Sequence, residues 1–267
     1  AIFLGGDAVG SISKTTITGS TGGDIWSLST NDILVDNSTL SGSTGGFSSV
    51  MGGQLYSGTT TNSENPSLSH NGKQIAFTSL ASDFVPNDNN FSADVYVYND
   101  ETRVTELVSR SLSGSTGNNT SDSAVISGNG RFVVFRSGAN DLVSNDNNNT
   151  SDIFVYDRKT TQIERISVGS GLSESNGYSF EPSISHNGQF VAFTSLASNL
   201  VEGITGGLFR TYLFDRLQKT TTLISVSSGG VAANDNSEAP KVSPDGRFVA
   251  FQSLATNLVE GDQNSSS

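Results

Sequence analysis

The chain has 267 residues and carries 14 Lys and Arg against 26 Asp and Glu, a formal net charge of −12, which works against binding a phosphate backbone because that needs clustered basic charge. No Cys is present, so disulfide frameworks, thiolate zinc sites and cysteine nucleophiles are excluded, and no apolar stretch approaches the ~18 residues of a membrane span. Charged residues make up only 15%, yet 29 Gly and 15 Phe stand among the Ser, Thr and Asn, a composition that argues against simple disorder.

Position 1 is Ala rather than Met, so the chain is expected to be processed or trimmed, with any signal peptide gone. Residues 1–58 carry a period of their own: 16–23 matches 39–46 at an offset of 23, and the same offset pairs Ile2 with Ile25, Phe3 with Trp26 and Ile12 with Val35. Short apolar strands with Gly/Ser/Thr corners at that period are the pattern of a parallel β-solenoid coil. The segment resembles the coils of filamentous-haemagglutinin-type adhesins, over two coils and a partial third at 47–57. A second reading stays open, in which it is a degenerate, polar member of the repeat that follows.

From residue 59 to 267 a longer repeat takes over. Ser243-Pro-Asp-Gly-Arg-Phe-Val-Ala-Phe251 has relatives beginning at Ser69, Ser127 and Ser185, and the glycines at 72, 130, 188 and 246 stand 58 residues apart each time. In the third copy the pattern predicts strands at 182–185, 189–195, 210–215 and 222–226, with a hairpin turn at His186-Asn187-Gly188. Asn-Gly and Asp-Gly supply the positive φ that tight hairpin turns need. Four antiparallel strands per repeat are the signature of a propeller blade. The expected fold is therefore all-β: a β-propeller of about 3.5 to 5 blades starting near 66, 124, 182 and 240, preceded by the solenoid-like or strand-donating segment. A four-stranded sheet cannot bury both faces alone, so the paired aromatics Phe132/Phe135, Phe190/Phe193 and Phe248/Phe251 are expected to fill the layers between blades. With Asp-Ile-Phe-Val-Tyr-Asp at 152–157 in a sister copy, the repeat resembles the TolB-like propeller repeat of bacterial exported proteins. That resemblance implies a fold shared by periplasmic scaffolds, surface proteins and modules attached to peptidases.

The fourth copy stops one residue before the expected partner of Asp94 and Asp152. An incomplete blade exposes a strand edge that invites pairing. Three expectations follow: N-terminal strands close the ring, a neighbouring copy supplies the missing strands and builds an assembly, or the missing strands lie beyond residue 267.

Chemistry is sparse. The loop between second and third strands holds Asp88, Asn90 and Asp94 in one copy, Asp146, Asn148 and Asp152 in the next, and Asp262 and Asn264 in the last; the third copy has Ile204, Gly206 and Arg210 instead. Such a set offers hard oxygen ligands for a weakly bound calcium ion; the reading it competes with is a set of turn-capping Asx side chains. His70 and His186, the two histidines, open equivalent hairpin turns and read as tolerated turn residues. The acidic columns Glu64/Asp122/Glu238 and Asn99/Asp157/Asp215 could supply a carboxylate pair, but they recur once per blade, as structural residues do. Glycosylation sequons at Asn37, Asn90, Asn119, Asn149 and Asn264 matter only in a host that uses them. Tyr56, Tyr178 and Phe180 read as exposed aromatics in polar connectors, the furniture of a carbohydrate site.

The expected function is a non-enzymatic extracellular or cell-surface module, secreted or periplasmic: adhesin-like, or a subunit of an assembly that self-associates through open strand edges. Its expected partners are a protein or glycan surface, with no nucleic acid and no membrane span, and calcium is the one expected cofactor. The alternative is a carbohydrate-binding or carbohydrate-active propeller with its site at the channel mouth.

Overall fold

A computed structural model describes residues 62–86 and 88–262, together with the backbone of six short strands within the first 41 residues. Those six are β1 (Ile2–Leu4), β2 (Ser11–Ser13), β3 (Thr16–Thr18), β4 (Ile25–Ser27), β5 (Leu34–Asp36) and β6 (Thr39–Ser41). They pair in parallel as β1–β4, β2–β5 and β3–β6, with Ile2 opposite Ile25, Ile12 opposite Val35 and Thr16 opposite Thr39. Every pair keeps the 23-residue offset of the sequence. The expected partial coil at 47–57 lies outside the described residues.

The 58-residue repeat folds into antiparallel meanders. Blade A comprises β7 (Ser63–Leu68), β8 (Gln74–Ser79), β9 (Asp94–Asn99) and β10 (Val104–Leu107). Blade B has β11 (Ser121–Ile126), β12 (Phe132–Ser137), β13 (Asp152–Asp157) and β14 (Gln162–Arg165); blade C has β15 (Ser179–Ile184), β16 (Phe190–Ser195), β17 (Arg210–Asp215) and β18 (Thr220–Leu223). The fourth sheet contains two strands among the described residues, β19 (Ser237–Val242) and β20 (Val249–Ser253). Within each complete blade the strands hydrogen-bond in chain order. The first strands of successive blades contact one another, which places them on the inner side of the array.

Both faces of the middle strands are buried, which is why they read as continuous apolar runs. On β12, Phe132 and Val134 join a core shared with Val191, Phe193 and Tyr212 of blade C. Val133 and Phe135 turn the other way, into a core shared with Ala76, Val95 and Val97 of blade A. Phe135 stacks on Phe154, and Phe193 on Tyr212, at 5.8 Å between ring centres in each case. Each such fully buried ring contributes roughly 1.5–3 kcal/mol. The expectation for the Phe pairs fails at one ring: Phe248 is 64% exposed. The physical reason is local. Phe132 and Phe190 lie under the hairpin glycines of the next blade, Gly188 and Gly246, and no described hairpin covers Phe248.

The first strand begins at Ser179 rather than near 182, and the fourth spans Thr220–Leu223 rather than 222–226. A bulge causes the first difference. The register of β15 on β16 shifts between Phe180 and Ser183, where Glu181 takes φ 52°. Asn65, Ser123 and Ala239 do the same in the sister blades at 53–55°, so the alternation that marks a strand is broken at one place in all four.

Adjacent blades are joined by recurring bonds. The amides of Ser121, Ser179 and Ser237 donate to the carbonyls of Ala93, Ser151 and Phe209, each at 2.8 Å. Arg158 reaches back to Glu106 at 2.9 Å, and Arg216 to Glu164 at 3.2 Å. Inside each sheet a hydroxyl pair ties the first strand to the second: Ser63–Ser79, Ser121–Ser137, Ser179–Ser195 and Ser237–Ser253, at 2.8–3.0 Å.

Candidate functional site

The loops that open the third strands converge on one end of each blade. In blade A, Asp94 is fully buried; it accepts a bond from Ser109 Oγ at 2.6 Å and one from Asn90 Nδ2 at 2.7 Å. Asn90 Nδ2 also donates to the carbonyl of Gly117 at 2.8 Å, while its Oδ1 accepts from the Ser92 amide. Asp88 accepts from the Tyr96 hydroxyl at 2.9 Å. Blade B repeats the lock through Asn148, Asp152, Ser167 and the carbonyl of Ser175. It adds Arg165, whose guanidinium lies 3.1 Å from Asp146 and 3.7 Å from Asp152. Burial pushes Asp94 and Asp146 up to about 6 and raises Asp152 as well. Burial, reinforced by the bond to Asp88, also raises the Tyr96 phenol.

In blades A and B the candidate calcium ligands come together, and hydrogen bonds latch them to one another and to the neighbouring loop. Amide and hydroxyl donors face the Asp94 and Asp152 oxygens, and in blade B a guanidinium stands between the two carboxylates. Among the described residues no group of three or more His, Cys, Asp or Glu is arranged to hold a metal ion. Asn264 lies outside the described residues. Blade C reaches the same end by other means: Arg210, 6% exposed, donates through Nη1 to the carbonyl of Ala233 at 2.7 Å. That carbonyl is the repeat partner of Gly117 and Ser175. One long cation thus replaces an Asp–Asn pair, with Gly206 where the Asn stood.

Blade C also breaks the repeat at its surface. Tyr178, Phe180 and Phe209 form one cluster, with ring centres 5.9, 5.1 and 6.3 Å apart for 178–180, 180–209 and 178–209. Tyr178 is 44% exposed, and the other two rings are half-buried. In the other copies the columns hold Asn62, Thr120 and Asn236; Glu64, Asp122 and Glu238; and Ala93 and Ser151. Backbone bonds hold the platform: Leu196 N to Tyr178 O at 3.1 Å, and Ser237 N to Phe209 O at 2.8 Å. Asn236 Oδ1 accepts from Phe209 N at 3.0 Å. Gly207, at φ 100°, makes the turn before Phe209, a conformation L side chains resist. Phe180 is not in a connector, as its polar surroundings suggest, but in β15 opposite Thr194. Phe209 escapes a reading of the sequence alone; its signal is a ring in a column otherwise occupied by Ala and Ser. Tyr56 lies outside the described residues.

In the acidic columns, Asp122, Asp157, Asn99 and Asp215 have structural work. Arg136 grips Asp122 in a two-pronged pair at 2.8 and 2.5 Å. Arg131 does the same to Asp157 at 2.8 and 2.7 Å and, by hydrogen bonding first, holds that carboxyl down at about 2. Asn99 and Asp215 cap the turns that follow them. A cleft of about 400 Å³ between blades A and B contains a single ionisable group, Arg110, in its lining.

No family model matches the chain, and no curated protein does. Solved structures similar to it in fold include TolB from Acinetobacter baumannii, at 16% identity and TM-score 0.42, over 78% of this chain and 44% of that one. A putative TolB from Agrobacterium tumefaciens aligns at 18% identity and TM-score 0.44, over 74% and 60%. The tricorn protease aligns at 16% identity and TM-score 0.44, over 73% and 19%. The chain spans less than two thirds of the length of each, and the likeness is one of fold. The class the fold defines is that of β-propellers: the stacked four-stranded meanders are propeller blades, the fold these structures share. One expectation is corrected here, that the chain is not an enzyme. Besides the tricorn protease, prolyl endopeptidases and oligogalacturonate lyase are among the similar structures, so this fold gives no ground for excluding catalysis. No helix among the described residues is long and apolar enough to cross a membrane.

Proposed function

We propose that the chain is a binding module of the TolB-like propeller class, whose recognition surface is the aromatic end of blade C and whose ligand is a neutral glycan. The observation that supports this is the replacement of small or polar side chains in three columns by three mutually packed rings in one blade alone. Sugar rings present apolar C–H faces that stack on such a platform, with polar groups at the rim fixing orientation. Glu181, Thr194 and Asn236 supply that rim: Glu181 Oε2 accepts from Thr194 Oγ1 at 3.1 Å and from Ala239 N at 2.7 Å. The net charge of −12 disfavours acidic polymers, and a thiol-free chain suits work outside the cytoplasm, at a cell surface or in the periplasm. The test is retardation in native gels containing neutral β-glucans, mannans or chitin oligosaccharides. Tyr178→Thr, Phe180→Asp and Phe209→Ser install residues that sister blades already carry, so each variant keeps a side chain the fold accepts. Retardation by at least one of these glycans that each variant weakens supports the proposal. Parent protein that none of them slows, or variants slowed as much as the parent, overturns it.

A further inference from the structure

The histidines that the sequence places in separate repeats meet in space. His70 and His186 open the hairpins of blades A and C, and their rings lie 5.9 Å apart at 78°. The blade between them has Gly128 in the same column, and Pro244 follows in the fourth sheet. Backbone bonds chain the four hairpins together: His70 N to Gly128 O at 2.8 Å, Asn129 N to His186 O at 3.1 Å, and His186 N to Pro244 O at 2.9 Å. Gly128 is what lets the rings approach, because a Cβ there would stand 2.2 Å from His186 Nδ1. Gly and Pro serve the same turn position equally well, so the hairpin does not require histidine. Both residues are exposed.

We infer that His70 and His186 together form a binding site for a divalent late transition-metal ion of the zinc, nickel or copper class. Neutral imidazole suits these ions better than it suits calcium or magnesium. Two imidazoles sharing one ion at ~2.0–2.1 Å per nitrogen put their ring centres ~5–6.4 Å apart, depending on the angle at the metal. The observed 5.9 Å falls inside that span. The hairpin backbones are held in a hydrogen-bonded chain, so the second ligand is already near when the first has bound, which raises affinity through effective concentration. Two protein ligands leave the remaining coordination positions open to water or to a donor from a bound molecule.

The site is tested by calorimetric titration of chelator-treated protein with ZnCl2 and NiCl2. One ion per chain is expected. His70→Ala and His186→Ala should each weaken binding at least about tenfold, the loss of a chelating partner. Gly128→Ala, which retains both imidazoles and displaces one, should weaken it too. The two histidines are exposed and Gly128 is half-buried at its turn, and circular dichroism checks that each variant is folded. A parent that takes up no more metal than the His70→Ala/His186→Ala double variant overturns the inference, as does either single variant that keeps the parent's affinity.

Discussion

Converting the blade C latch into the form used by blades A and B tests whether these columns are structural. Arg210→Asp removes a charge-assisted bond to Ala233 O, worth about 1.5–3 kcal/mol, and leaves the new carboxylate with an unsatisfied oxygen at a further ~1–3 kcal/mol. Ser225, fully buried, stands where Ser109 and Ser167 serve the other blades, so one oxygen still finds a donor. The expected cost is about 2.5–6 kcal/mol. Gly206→Asn restores the missing amide. A Cβ at Gly206 meets Ser198 Cβ at 3.6 Å and Leu196 O at 3.9 Å, which are ordinary contacts. In Gly206→Asn/Arg210→Asp the introduced amide can bridge the introduced carboxylate to Ala233 O, as Asn90 bridges Asp94 to Gly117 O. The double variant should therefore be more stable than the sum of the singles by about 1.5–3 kcal/mol, within the coupling range of contacting residues. Urea midpoints at unchanged m values measure it. Additivity within about 0.5 kcal/mol would refute the latch.

Two further outcomes are expected. Gly188→Ala should cost about 2 kcal/mol or more, since its Cβ would meet the Phe132 ring at 2.1 Å at φ 75°, whereas Gly130→Ala meets only the end of the Gln74 side chain at 2.6 Å and should cost less; equal melting shifts would count against this packing. The carboxyls of Asp94 and Asp146 are raised to about 6, so the folded state binds these protons more tightly than the unfolded chain; their contribution is complete below about pH 4 and is lost as pH rises through 6. Asp157, lowered to about 2, acts oppositely and loses its contribution only as pH falls below about 4 toward 2. The urea midpoint should therefore be higher near pH 4.5 than at pH 7, and a steady rise with pH across that interval would contradict the burial of Asp94 and Asp146.

The blades are legible because their signals are local and repeated. Gly72, Gly130, Gly188 and Gly246 mark the hairpins, and the apolar runs beside them mark strands buried on both faces. The 23-residue offset of the first segment reappears in the parallel register of β1 on β4. The inner strand starts three residues earlier than its pattern suggests because a left-handed residue such as Glu181 interrupts its alternation, and Ser, Asn and Ala at that position announce nothing. Site chemistry is less legible. Asp88, Asn90 and Asp94 do share one place, but whether Asn90 turns its oxygen or its nitrogen toward Asp94 depends on the Gly117 carbonyl, 27 residues away. His70 and His186 stand in different repeats, and only the stacking of hairpins across Gly128 unites them. Phe209 joins a platform because β15 and β17 both begin beside the end of β16, one on each side of it, a neighbourhood that no local pattern encodes.

The seams between blades reuse one set of atoms, Ser121 to Ala93, Ser179 to Ser151 and Ser237 to Phe209, at the same 2.8 Å. A gene that gained or lost one 58-residue unit would find each new seam already fitted, because the donor and acceptor are backbone atoms that no substitution removes short of proline. Copy number in such a lineage can change without redesign of the interior. What a single copy is then free to drift in is its rim, and blade C, with three rings and an arginine where its siblings keep small, polar or acidic side chains, has the character of a duplicate that kept its seams and changed its face.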